Sequence, residues 1–316
     1  MTPDDSAKTA DIREPIPGVY VIPGGTNVGV IRVRSGRGSE LYLIDSGGSE
    51  KDARKIEKIL DVHFTGSRLR AIINTHSHAD HTGGNAYFAE KTKCAIWMPY
   101  LEKGSVENTL LQPSLAWGGF PLPELRTPYY VTSQCEATRV IRAEERIDFS
   151  DGKNIRCIAL PGHYFEMLGI LCTLPDGTSV FFAGDAVFGK SVIAKFSIPF
   201  MLNVASFLDT LEKLRSVRAD WYVPSHGEAV ARIDETAEMN EIAVLQTITC
   251  IMKILKKGPR TAEELLTEVA NANGISMKLP QYVLIGCTLR SFLTYLYAEE
   301  RITYEIADNK MLWKTR

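Results

Sequence analysis

Ten residues, Thr75-His76-Ser77-His78-Ala79-Asp80-His81-Thr82-Gly83-Gly84, place three imidazoles and a carboxylate within six positions. Neutral imidazole and carboxylate are ligands for zinc, iron or manganese. The 316-residue chain has only six histidines, and five of them fall in such spots: His76, His78 and His81 here, His163 and His226 further on. Asp185 closes a fourth spot of the same kind, and core packing gives no reason for this enrichment. The i, i+2 spacing of His76 and His78 lets both rings converge on one ion from a tight turn. Asp80 and His81 point elsewhere and serve a second ion. Seven ligands suit two ions, each with an open position. A carboxylate can bridge two cations with its two oxygens, which fits Asp185. The sixth histidine, His63, reads as an ordinary loop residue.

These ligands need rigid supports. Arg70-Ala71-Ile72-Ile73-Asn74 is apolar and β-branched, so it is predicted to be a buried strand ending at the cluster. Thr82 is predicted to cap a helix over 83–92, with the two glycines where the backbone turns tightly. Strand-like runs over 154–160, 179–183 and 221–224 end at His163, Asp185 and His226. Earlier strands are predicted at 19–23, 27–33 and 41–45, with others at 94–98, 138–141, 146–149 and 169–174. Helices are predicted over 49–61 and 205–217. In open α/β sheets, sites form at the carboxyl ends of strands.

Two segments, 99–135 and 188–204, show no clean period but are rich in aromatic residues and proline. They are predicted to be irregular, substrate-covering or partner-contacting loops. Near Ile233 the character changes. A long helix pattern over 236–257 is followed by a capping-box start at Thr261-Ala262-Glu263-Glu264. A further helix over 282–298 and a hairpin over 302–314 complete the chain.

Composition is that of a globular protein, with 45% hydrophobic and 23% charged residues and a net charge of −2. No global field favours nucleic acid or an anionic membrane. The acidic, polar start lacks the pattern of a signal peptide, and no run of apolar residues is long enough for a membrane span. The six cysteines (94, 135, 157, 172, 250 and 287) are scattered, without a CxxC pair. Cys157 and Cys172 lie in strand-like runs and read as small buried hydrophobes. A reducing, cytoplasmic location is expected.

His76-x-His78-x-Asp80-His81 followed by His163, Gly184-Asp185 and His226, with Asp45-Ser46-Gly47-Gly48 ahead of them, resembles the metallo-β-lactamase superfamily. The resemblance spans roughly residues 18–230. It implies an α/β fold, a four-layer αβ/βα sandwich with the metals at one edge. Site one would be His76, His78 and His163, and site two Asp80, His81 and His226, with Asp185 bridging. The cofactor would be two divalent ions, zinc first, with iron or manganese as alternatives. Metal-bound water falls to a pKa of about 7, so a bridging hydroxide would attack an ester, thioester or lactone of a small or lipophilic substrate. Asp80 would carry the proton, and Tyr164, following His163, would either donate a hydrogen bond to substrate or simply pack. The complete ligand set with Asp185 resembles glyoxalase II-like thioesterases and nucleases more than true β-lactamases. The alternatives are a phosphodiesterase or endoribonuclease, and a persulfide dioxygenase holding one iron.

The tail resembles a winged-helix-like α+β appendage. From residue 235 onward ten Lys/Arg balance ten Asp/Glu, so it has no basic footprint for nucleic acid. A lid, a pocket wall or a homodimer contact is expected instead. The predicted organisation is a flexible tail (1–17), a catalytic domain (18–232) and this small domain (233–316).

Overall fold

The computed structural model describes residues 12–36 and 38–316. Two mixed sheets lie face to face. The first holds seven strands in chain order: β1 (Arg13–Ile16), β2 (Val19–Ile22), β3 (Val28–Ser35), β4 (Gly38–Ile44), β5 (Arg68–Ile73), β6 (Ala95–Pro99) and β7 (Arg139–Ile141). β1 to β4 pair antiparallel and β4 to β7 parallel. The second holds β8 (Arg146–Asp148), β9 (Asn154–Ala159), β10 (Leu168–Thr173), β11 (Ser179–Gly184) and β12 (Trp221–Pro224), in the order β12-β11-β10-β9-β8. Only β11 and β12 pair parallel there.

The β-branched runs that predict strands supply the core between the sheets. Ile31, Ile44 and Ile73 of the first sheet meet Cys157, Ile170, Val180 and Phe182 of the second. Cys157 and Cys172 are fully buried and, with the other four cysteines, free. The sheets approach so closely at Gly29 that a Cβ there would lie 2.4 Å from the Phe182 ring.

The outer face of the first sheet is covered by α1 (Glu50–His63) and α3 (Asn85–Thr92), which follows a single turn, α2 (Ala79–Thr82). Ile56, Leu60 and Phe88 pack there on Leu43, Ile72 and Ile96. α4 (Lys103–Glu107) and α5 (Leu111–Trp117) lie within the segment predicted to be irregular, and α6 (Lys190–Phe196) lies within the second such segment. The outer face of the second sheet is covered by α7 (Val204–Ser216) and α8 (Asp234–Leu255). The result is the expected four-layer α/β sandwich.

α9 (Ala262–Ala272), with both halves of its capping box at Thr261 and Glu264 formed, and α10 (Leu279–Ala298) follow. The antiparallel pair β13 (Ile302–Ala307) and β14 (Lys310–Thr315) ends the chain. Arg260, between α8 and α9, forms a β-bridge to Trp313. The apolar cluster on the second sheet runs without a break from Leu160, Phe181 and Phe207 to Ile248, Leu265, Phe292 and Ile302, so one core crosses the expected boundary at 232/233. Of the expected tail, residues 1–11 lie outside the described residues, while Arg13–Ile16 is strand β1, paired with β2. No described helix is long and apolar enough to cross a membrane.

Candidate metal centre

The loop after β5 carries four of the predicted ligands, and three more loops bring the rest to the same sheet edge. His163 follows β9, Asp185 follows β11 and His226 follows β12. Their donor atoms form three groups, each with atoms within 4.8 Å of one another: His76, His78 and His163; His76, His81 and Asp185; Asp80, His81 and His226. In the first group the Nδ1 of His78 lies 3.0 Å from His76 Nε2 and 2.9 Å from His163 Nε2. Asp185 stands at the junction of the groups. Its Oδ1 is 3.4 Å from His81 Nε2, and its Oδ2 is 3.3 Å from His163 Nε2 and 3.4 Å from His226 Nε2. Asp80 faces outward, half-exposed, with its Oδ2 3.1 Å from His226 Nε2.

Three of the five rings are held from behind. The Nδ1–H of His81 donates to Asp45 Oδ2 at 2.8 Å, that of His163 to the Phe200 carbonyl at 2.8 Å, and that of His226 to the Gly25 carbonyl at 2.7 Å. Those bonds fix the tautomer that leaves Nε2 free to ligate. Asp45 is itself fixed by the Thr75 N–H and hydroxyl at 2.8 and 2.9 Å. It sits at φ +61°, in the left-handed region. The loop Gly24–Asn27 holds the His226 loop, with the Asn27 side-chain amide donating to the carbonyls of Pro224 and Gly227.

Among the described residues, two buried side-chain atoms have no hydrogen-bond partner: His81 Nε2 and Asp185 Oδ1. Orphaned buried polar atoms are rare and costly. Here they face each other inside a set of imidazole and carboxylate donors, which is what a cation site requires. The residues present therefore fit divalent metal ions.

The protonation pattern of the bare site agrees. Burial, reinforced by the neighbouring imidazoles, holds His76 and His78 well below the usual histidine range, and burial also lowers His163. Burial would depress His81 too, but the carboxylates of Asp185, Asp80 and Asp45 carry it up to about 10. Burial is likewise outweighed at His226, where Asp185 and Asp80 push it up to about 12. Asp185 and Asp80 stay well below the carboxylate range: the facing histidines overcome the burial of Asp185, and His81 and His226 hold the charge on half-exposed Asp80. Two carboxylates thus face protonated imidazoles where they would otherwise face metal cations.

The elements differ from expectation in two details. Thr82 is no helix cap. It is the last residue of α2, and its hydroxyl donates back to the His78 carbonyl at 3.1 Å. Gly83 and Gly84 have ordinary helical φ of −60° and −91°, and their requirement is contact. A Cβ on Gly83 would lie 2.2 Å from the Gly48 carbonyl carbon, and one on Gly84 would lie 2.4 Å from the Ser46 carbonyl oxygen.

Tyr164 packs, the second of its two expected roles. It is 4% exposed, and its ring lies on His78 at 4.4 Å between centroids. Its hydroxyl lies among Glu102, Ser105 and Ser77, where burial and the Glu102 charge push its pKa up.

The sequence reading missed several supporting residues. Glu102 is a fully buried carboxyl behind the His76–His78 loop, pushed up to about 7 by burial. Asn240 on α8, also fully buried, accepts from the Phe188 N–H at 3.0 Å and donates to the Phe188 carbonyl at 2.8 Å. Phe188 in turn stacks on His226, with Phe200 5.4 Å from both His78 and His163. Asp45 carries a strand-end signal that a metal reading can use, but nothing in the local sequence marks Glu102 or Asn240.

Residues 21–226 match the sequence profile of the Metallo-beta-lactamase superfamily. A lactamase-like protein of Penicillium aethiopicum is 23% identical over 94% of this chain and 84% of its own length. An atrochrysone carboxyl ACP thioesterase of Passalora fulva is 22% identical over 94% of this chain and 78% of its own. Among solved structures, a beta-lactamase domain protein from Burkholderia ambifaria superposes with a TM-score of 0.79 at 18% identity, covering 99% of this chain and 96% of that one. A metallo-beta-lactamase family protein from Thermus thermophilus gives 0.73 at 20% identity, over 95% and 99%. With the motif spread over four strand ends, the profile spanning both sheets and the fold shared along the whole chain, this protein belongs to the metallo-beta-lactamase superfamily and is a metal-dependent hydrolase.

Proposed function

We propose that this protein hydrolyses an acyl thioester, ester or lactone of a small or lipophilic substrate at a centre of two divalent ions, zinc first. The observation that carries the reading is Asp185, buried between two ligand groups with one oxygen unsatisfied. Its Oδ2 faces His163 of one group and His226 of the other, and its Oδ1 faces His81, which supports a carboxylate shared between the two groups. His76, His78 and His163 would hold one ion, and Asp80, His81 and His226 the other. Two ions in such a site supply Lewis acidity and an acidified water.

The chain's own residues do the rest. The bonds from Asp45, Phe200 and Gly25 hold the imidazoles in one tautomer. Asp80, half-exposed beside His226 and bonded to the Thr26 hydroxyl at 3.3 Å, would pass a proton to the leaving group. Phe188, Phe200 and Tyr129 make an aromatic rim suited to an acyl chain. Tyr129 is exposed and lies near enough to Asp80 and His226 to feel their charges. The relative named as an ACP thioesterase adds weight to a thioester. Residues 233–316 serve as a winged-helix-like pocket wall, and the free cysteines suit a cytoplasmic setting.

A panel of acyl thioesters, lactones, phosphodiesters and β-lactams, with metal content measured in parallel, tests this. The expected result is thioester or lactone turnover with about two ions per chain. His78→Ala and Asp185→Ala should lose more than about 100-fold, the upper end for losing even a partner behind a ligand. Full activity in either variant, or cleavage of phosphodiesters alone, overturns the reading.

A further inference from the structure

Glu102 stands between β6 and α4 and touches none of the metal-type ligands. It is fully buried, which for a glutamate requires compensation. Its Oε2 accepts the Ser77 N–H at 3.1 Å and the Ser77 hydroxyl at 2.6 Å. Its Oε1 accepts the Glu166 N–H at 3.0 Å. Ser77 lies between His76 and His78, and Glu166 lies three residues after His163. One carboxyl group therefore spans the loop that presents two imidazoles and the loop that presents the third. The link is reciprocated, because the Leu101 N–H donates to Glu166 Oε2 at 2.6 Å.

A carboxylate suits this place on chemical grounds. It has two oxygens and about four acceptor positions, so it can take three donors arriving from two directions. An amide of the same shape turns one of those ends into a donor. A hydrophobe would leave the Ser77 and Glu166 N–H groups unpaired in the interior. Of the three ring nitrogens it sits behind, His78 Nδ1 lies 3.0 Å from His76 Nε2 and 2.9 Å from His163 Nε2, and sites of this kind tolerate errors of only about 0.5 Å.

We infer that Glu102 is a positioning residue of the metal centre: by tying Ser77 to Glu166 it sets the spacing of His76, His78 and His163, and with it the affinity of that group for its ion. This rests on the proposal that those three histidines ligate a metal. The test is an equilibrium zinc titration of the metal-free full chain against a chromophoric chelator, for wild type, Glu102→Gln and Ser77→Ala. Circular dichroism and melting of each metal-free protein are recorded alongside. Asp80→Ala identifies which binding step belongs to the other group. Glu102→Gln loses at least one of the three bonds however its amide is turned, and Ser77→Ala removes only the shortest. The expected result is a 10–100-fold loss of affinity in Glu102→Gln, the range for partners that orient ligands. The loss should be smaller in Ser77→Ala and confined to the step that Asp80→Ala leaves intact. A Glu102 that merely stabilises the fold lowers the melting temperature while both affinities stay within about two-fold of wild type, and that result overturns the inference. An equal loss at both steps overturns it as well. Wild type that binds no zinc fails the metal reading itself, whereas normal zinc binding with unchanged variants fails the role of Glu102 alone.

Discussion

His81 shows how one side chain answers to three neighbours. Its Nδ1 is tied to Asp45, and its Nε2 faces Asp80 and Asp185. Without metal it keeps a proton up to about pH 10, and His226 keeps one up to about 12. A metal ion needs the Nε2 lone pairs that those protons occupy, so uptake at neutral pH must expel them. We therefore predict that binding at pH 7 releases protons and that apparent affinity climbs as pH rises from about 6.5 toward 10. Calorimetry in two buffers of different ionisation enthalpy measures the release, and buffer-independent heats would refute it. The stability of the metal-free protein has its own sign. The contribution of His81 and His226, whose pKa values are raised on folding, is complete below about 6.5 and fades as pH rises through about 10. His76, His78 and His163, lowered by burial, act the other way and cost stability as pH falls below about 6.5. The contribution of Asp80 and Asp185, from pKa values depressed on folding, is present above about 3.9 and fades as pH falls. The melting temperature of the metal-free form should therefore peak at about pH 6.5 and fall on either side. At this scale the candidate ligands were legible because imidazole is rare in the chain and they gather after four strands. Glu102 was not, since a single carboxylate in an aromatic segment reads as surface until the Ser77 and Glu166 loops are seen to meet on it.

Elements were legible where one period dominates. The β-branched runs at Arg68–Ile73 and Ser179–Gly184 are strands, and the capping box at Thr261 starts α9. The short helices α4, α5 and α6 were not legible. Each is seven residues or fewer, too short to show a helical stripe. They owe their form to packing, as propensity alone does not sustain so short a helix. The Gly83-Gly84 pair is the instructive case. The sequence marks both residues as special, and a tight turn is the natural reading. The backbone there is helical, and what excludes a side chain is the loop Ser46–Gly48 lying against it. Asn85 and Ser46 lock that contact with a 2.8 Å hydrogen bond, and the Ser46 N–H holds the His81 carbonyl at 2.8 Å. We predict that Gly83→Ala, an innocuous change in an ordinary helix, destabilises the protein by about 1–3 kcal/mol through overpacking. It should also weaken metal binding, because α2 carries Asp80 and His81. Denaturant melts and chelator competition check both, and wild-type values would show that the loop yields without cost.

Across the whole molecule, the four layers followed from the family resemblance that the His/Asp motif carries, but the relation of residues 233–316 to the rest did not. Composition shifts near Ile233, so the sequence reads as two units. In the structure, Ile248, Leu289, Phe292 and Leu296 belong to the same apolar cluster as Leu160, Phe181 and Phe207. The later helices also reach the metal edge. Asn240 of α8 clamps Phe188. The Tyr130 hydroxyl donates to the Pro280 carbonyl on α10 at 2.8 Å, beside exposed Tyr129. An interface built from a shared core cannot open without exposing apolar surface, so the two regions should unfold together. Phe292, fully buried on α10, tests this from the far side of the sequence boundary. Truncation to alanine in a core costs about 3–5 kcal/mol, and with one shared core that cost lowers a single transition. We predict that Phe292→Ala shifts the thermal unfolding of the entire chain, with calorimetric and van't Hoff enthalpies in agreement as for wild type. Tryptophan fluorescence should follow the same curve, because Trp97 lies between the sheets and Trp313 lies in the C-terminal hairpin. Two separated transitions, with only the later-sequence one moved by the substitution, would mean instead that residues 233–316 fold on their own and merely lean on the metal-bearing sandwich.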